Sequence, residues 1–114
     1  MNIGIIGSGA REHSICYWIK KSRKVKKIFC FPGNAGTDDI AENINIDPNN
    51  FKKLNHFILK NNIQILIVGP EEPLVNGVVD FFEKKGVKIF GPNKLASKLE
   101  GSKIFTKKLC KKYD

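Results

Sequence analysis

Apolar residues fall along this chain in two alternating rhythms. Residues 2–6 (NIGII) form a short run rich in β-branched side chains, which predicts a first strand. From Arg11 to about Lys21 the spacing lengthens, with Ile15, Trp18 and Ile19 on one helical face and lysines at the carboxyl end, where they complement the dipole. Residues 27–31 predict a second strand, closed by Pro32-Gly33, and Ile44-Asn45-Ile46 a short third. Asp47-Pro48 then reads as an N-cap followed by proline at the first helical position, ahead of a helix with Phe51, Leu54 and Ile58 on one face. Residues 64–68 are the most hydrophobic strand and are expected at the sheet centre. A helix is predicted over 74–85, stopped by Gly86, then a fifth strand over 87–90. Two further helical patterns, 94–99 and 103–112, are split by Gly101-Ser102.

Strand and helix in regular alternation imply an α/β fold: a doubly wound, mostly parallel five-stranded sheet with helices on both faces. In such a sheet ligands bind beyond the carboxyl ends of the strands. Four loops of the sequence belong there or at an element boundary. Gly7-Ser8-Gly9 joins the first strand to the first helix, so its backbone can approach a ligand while the helix presents N–H groups to an anion. Arg11 could hold a phosphate through two parallel hydrogen bonds, and Arg11 and Glu12 also read as a plain surface pair. Asn34, Gly36 and Thr37 follow the second strand and either line the same crevice or close their own loop. Gly69-Pro70-Glu71 follows the central strand, where Glu71 suits a ligand amine or hydroxyl, or the start of a helix. Lys103 sits in the first turn of the last helical pattern, where it opposes the dipole and either would welcome a phosphate or is one exposed lysine among many. His13 reads equally as packed or catalytic, and His56 as structural or exposed.

Composition narrows the field. With 114 residues, 41% of them hydrophobic, the chain makes one core and one ordinary domain. No run approaches the ~20 apolar residues of a membrane span, and nothing resembles a signal peptide, so a cytoplasmic location without membrane contact is expected. Cys16, Cys30 and Cys110 form no CxxC pair, which disfavours a disulfide framework or a zinc site and leaves small buried hydrophobes. The formal charge of +9 raises a polyanion-binding module, but the lysine clusters lack interleaved aromatics and match no nucleic-acid module. A nucleotide-cofactor oxidoreductase fragment is the other alternative. Against it stand Glu12, where a dinucleotide site wants a third small residue, and the missing acidic residue after the second strand.

In this order and spacing, GSGAREH at 7–13, PGNAGT at 32–37, VGPEEPLVNG at 68–77, FGP at 90–92 and LEGSK at 99–103 resemble the N-terminal domain of the phosphoribosylamine–glycine ligases, members of the ATP-grasp ligases. The resemblance implies a Rossmann-like, pre-ATP-grasp domain over 1–100, with 101–114 beginning the connection to an ATP-grasp domain. It implies an ATP- and magnesium-dependent reaction in which glycine is activated as an acyl phosphate and captured by the amine of 5-phosphoribosylamine, giving glycinamide ribonucleotide in purine biosynthesis. Gly7, Ser8, Gly9, Arg11, Glu12, Asn34, Gly36, Thr37, Gly69, Pro70 and Glu71 would then serve the phosphoribosylamine site, and Lys103 the ATP phosphates. The small-molecule partners would be phosphoribosylamine, glycine and ATP, and the protein partner the rest of the same polypeptide. Without the ATP-grasp core such a chain is expected to be inactive by itself, either as a fragment or as a split subunit, and the last helical pattern, which reaches Asp114 with no stop signal, favours the fragment.

Overall fold

The structure is a computed structural model that describes residues 1–70, 73 and 76–90. Five parallel strands, β1 (Asn2–Gly7), β2 (Lys27–Pro32), β3 (Glu42–Asn43), β4 (Ile63–Val68) and β5 (Lys88–Phe90), form one sheet in the order β3-β2-β1-β4-β5. Between them lie the helices α1 (Ala10–Ile19), α2 (Ala35–Asp38), α3 (Phe51–Lys60) and α4 (Val78–Glu83). The chain winds outward from β1 through β2 to β3, then returns to the other side of β1 for β4 and β5. That reversal opens the sheet edge between β1 and β4, the point at which doubly wound sheets hold ligands.

Period-two alternation sorts the strand side chains onto two faces. Ile3, Ile5, Ile28, Cys30, Ile65 and Ile67 join Ile15, Cys16 and Ile19 of α1 in one core. Ile6, Phe29, Phe31, Leu66 and Val68 join Leu54 and Ile58 of α3 and Val78 and Phe82 of α4 in the other. A register shift between β1 and β4, where Asn2 pairs with Ile63 but Ile3 with Ile65, bypasses Gln64 and leaves it exposed. Two buried layers explain why β1 and β4 read as nearly unbroken apolar runs. Cys16 and Cys30 are buried in the first core with their sulfurs 3.3 Å apart. The hydrogen bond to Cys30, and then burial, push the Cys16 thiol well above the ordinary cysteine range, so it stays protonated. Among the described residues, no helix is long and apolar enough to cross a membrane.

The doubly wound parallel architecture, the burial of Cys16 and Cys30 and the stop at Gly86 (φ 79°) agree with the sequence reading. Four local expectations are corrected. The third strand is Glu42–Asn43, paired with Phe29 and Cys30. Ile44 and Ile46 lie past it, half-buried against the second core, with Ile44 N making a last bond to Cys30 O at 2.8 Å, so their spacing reflects packing more than a strand. A short helix, α2, occupies the second glycine loop. The helix expected over 74–85 is broken at Gly77, which takes a left-handed conformation (φ 88°) that no continuous α-helix contains, so that α4 runs from Val78 to Glu83. Asp47 does not cap α3. Its Oδ1 accepts from Asn49 N at 2.8 Å in a tight turn, and the cap comes one turn later, where Asn50 Oδ1 accepts from Lys53 N at 3.2 Å. The patterns at 94–99 and 103–112 and the residues Cys110, Glu71 and Lys103 lie outside the described residues.

The two candidate caps separate on substitution. Asn50→Ala should cost about 1 kcal/mol of stability, the usual loss of an N-cap, and Asp47→Ala less than about half of that. Urea unfolding of both variants measures the difference, and equal losses would contradict the assigned cap.

Candidate functional site

The carboxyl ends of β1, β2 and β4 open onto a cleft of about 610 Å³. Its floor is the first loop, Gly7, Ser8 and Gly9, together with Glu12 from the first turn of α1. Pro32 closes it at the end of β2, and Pro70 and Pro73 close it after β4. The remaining wall is Asp47, Pro48 and Asn49, from the turn before α3.

Glu12 holds the floor together. It is only 6% exposed, and its Oε2 accepts from Gly9 N at 3.0 Å, so the side chain folds back on the N-terminus of its own helix. A carboxylate there is favoured both by the hydrogen bond and by the positive end of the dipole. The carboxylate also fills the space over two strand ends. A Cβ at Gly7, whose φ is 139°, would lie 2.3 Å from Glu12 Oε1, and one at Gly69 only 1.8 Å from the same oxygen. Glycine is therefore required at both positions for this packing. Backbone bonds draw the ends together as well: Gly69 N donates to Ile6 O and Gly33 N to Gly7 O, each at 3.0 Å.

The second loop is built onto the first. Asn34 caps α2 by accepting from Thr37 N at 2.9 Å, while its Nδ2 donates to Ser8 O at 2.9 Å and Gly9 O at 3.2 Å. Thr37 is fully buried. Its Oγ1 accepts from Asn34 N at 2.7 Å and lies 2.7 Å from Asn43 Oδ1. Asn43 Nδ2 returns a bond to Asn34 O at 2.7 Å. Thr37 thus closes its own loop, whereas Asn34 positions the glycine floor. Gly36 lies beside the exposed His13, whose ring would be 3.1 Å from a Cβ at that position. His56 is exposed on α3.

Of the residues expected at a site, Gly7, Ser8, Gly9, Glu12 and Pro70 line the cleft. Asn34 supports the cleft from behind, Gly69 packs beneath its floor, and Arg11 lies exposed in the first turn of α1. Asp47, Pro48 and Asn49 were missed, because their segment reads as the start of a helix. The signal that could have found them is the second asparagine cap at position 50, which leaves the preceding turn outside the helix.

Glu12→Ala removes the acceptor of Gly9 N–H and empties the space between Gly7 and Gly69, so it should cost about 1–3 kcal/mol. Glu12→Gln keeps the shape and an acceptor oxygen and should cost clearly less. Urea midpoints of the two variants decide it, and equal values would remove Glu12 from this structural role.

A family model described as "Phosphoribosylglycinamide synthetase, N domain" matches residues 1–100. The chain is 50% identical over 114 residues to the phosphoribosylamine–glycine ligase of Caldanaerobacter subterraneus subsp. tengcongensis and 47% identical over 116 residues to that of Clostridium acetobutylicum. Each comparison covers all of this chain and 27% of the relative, so the chain spans about a quarter of their length. Among solved structures, a phosphoribosylamine–glycine ligase from Thermotoga maritima aligns over 99% of this chain and 25% of its own, with a TM-score of 0.50 at 30% identity.

Proposed function

From the premise that this chain belongs to the phosphoribosylglycinamide synthetase N-domain family, we propose that it is the substrate-binding N-terminal domain of a phosphoribosylamine–glycine ligase. The ligase joins glycine to 5-phosphoribosylamine at the expense of ATP, giving glycinamide ribonucleotide, ADP and phosphate in cytoplasmic purine biosynthesis. This domain supplies one side of the phosphoribosylamine site and does not run the reaction by itself. The observation that carries the reading is the convergence of the loops after β1, β2 and β4 on a single cleft at the reversal point of the sheet. That is where an open α/β sheet holds a small ligand, and a cleft of about 610 Å³ is of the size such ligands occupy.

Residues 1–100 form the substrate domain, and 101–114 lead toward the ATP-grasp part of the same polypeptide. Gly7, Ser8, Gly9, Glu12 and Pro70 meet the substrate, with Arg11, Gly69 and Glu71 beside them. Asn34, Gly36 and Thr37 hold the second loop in place. ATP is assigned to the remainder of the enzyme, with Lys103 reaching its phosphates from the domain junction. The described residues do not fit a magnesium ion: no group of three or more His, Cys, Asp or Glu side chains among them could hold one. No step is therefore assigned through the metal here.

The test is an assay of the full-length ligase with glycine, ATP and freshly made 5-phosphoribosylamine, following glycinamide ribonucleotide by mass spectrometry. Product should form only with ATP. Arg11→Ala should raise KM for phosphoribosylamine by about tenfold or more, as expected for a lost charge-assisted hydrogen bond, and leave KM for ATP unchanged. Failure of the parent enzyme to form product would end this reading.

A further inference from the structure

The cleft is poor in donors and rich in acceptors, within a chain whose charge runs the other way. The chain carries +9, yet the described cleft lining holds two carboxylates, Glu12 and Asp47, and no lysine, arginine or histidine. Four of its ten lining residues are prolines, which have no backbone N–H to offer. At the N-terminus of the first helix, the feature that ordinarily serves an anion at this place in the fold, the buried Glu12 carboxylate already sits and accepts from the N–H of the N-cap residue Gly9. A phosphate pushed to the floor would meet a like charge where solvent screening is weak. A hydroxyl or an ammonium would find acceptors there.

Asp47 is placed for the same task on the opposite wall. Its bond from Asn49 N fixes the carboxylate at the cleft rim, and Asn49 Oδ1 accepts from Asn76 Nδ2 at 2.8 Å, tying that wall to the segment before α4. A carboxylate has about four acceptor positions, so the turn leaves Asp47 able to receive ligand donors. Since α3 is capped by Asn50, the helix makes no demand on this side chain.

We propose that the cleft takes the donor-bearing end of a phosphorylated aminosugar, with Glu12 and Asp47 receiving its amine and ring hydroxyls and its phosphate held toward the mouth, away from the floor. The inference rests on the phosphoribosylamine reading and adds the direction in which that ligand lies. Asp47 becomes a specificity-determining residue that selects a sugar bearing free hydroxyls.

Asp47→Asn in the full-length ligase tests it, because asparagine keeps an oxygen for Asn49 N–H and should leave the urea midpoint unchanged. KM for 5-phosphoribosylamine and Ki for ribose 5-phosphate should both rise about tenfold, the loss of a hydrogen bond to a charged acceptor. KM for glycine and for ATP should stay constant, as should inhibition by inorganic phosphate. Tighter binding of ribose 5-phosphate and inorganic phosphate by the variant would put the phosphate against Asp47 and overturn the proposal, and so would an unchanged KM for phosphoribosylamine. Should the parent enzyme make no glycinamide ribonucleotide, unphosphorylated ribose is the separating probe. Ribose binding that weakens in Asp47→Asn upholds a donor-seeking cleft without the ligase reading, and absence of ribose binding sinks both.

Discussion

Where β1, β4 and α1 meet, a single carboxylate fills the space that a backbone–backbone contact would otherwise occupy. Glu12 reaches back three residues to Gly9 N–H and lies across Gly7 and Gly69, which sit at the ends of two neighbouring strands. The contact makes three demands on the sequence at once: no side chain at position 7, none at 69, and an acceptor of glutamate length at 12. It also accounts for the departure of the first loop from the dinucleotide pattern. There, a small third residue lets the helix pack against the strand and leaves the helix terminus open to a pyrophosphate. Here the protein supplies its own anion to that terminus, and the loop becomes the floor of a different kind of site.

The rest of the cleft leans on that floor. Asn34 is at once the cap of α2 and the donor to the carbonyls of Ser8 and Gly9, so the second loop cannot shift without disturbing the first. Thr37 and Asn43 lock Asn34 from behind, which extends the network to the edge strand β3. Around this polar unit the lining is largely proline, whose fixed φ holds a wall in shape without side-chain ordering. Both apolar cores lie behind the cleft, one under α1 and one under α3 and α4. Packing therefore fixes the strand ends, and the strand ends fix the loops, before any ligand arrives.

How much of this was legible depended on whether the determining contact was local. Strands with two buried faces announce themselves as apolar runs, and β1, β2 and β4 were read nearly to the residue. The bond from Glu12 to Gly9 spans three positions and is visible in principle. The contact from Glu12 to Gly69 joins residues 57 positions apart and follows only once β4 is known to lie beside β1. Ile44 and Ile46 mimicked a strand because half-burial against one face also gives a spacing of two. Asp47-Pro48 mimicked a helix start because asparagine at position 50 is an equally good cap, and local propensity does not choose between two good caps one turn apart. Read as a helix cap, Asp47 has no place at the cleft, which the fold nevertheless has it line.

Charge acts on two length scales in this molecule. Twenty lysines and arginines against eleven acidic residues give the chain a positive field, which raises the local concentration of phosphorylated metabolites without choosing their orientation. Within the Debye length of about 8 Å at physiological salt, the local order is the reverse, because the described lining of the cleft holds Glu12 and Asp47 and no lysine or arginine. A ligand with a phosphate at one end and hydroxyls and an amine at the other is drawn in by the first field and turned by the second. A uniformly basic cleft would attract such a molecule as well but would hold it by the phosphate. With Glu12 on the helix terminus, the proposed orientation assigns attraction and direction to different residues and brings the amine end to the floor.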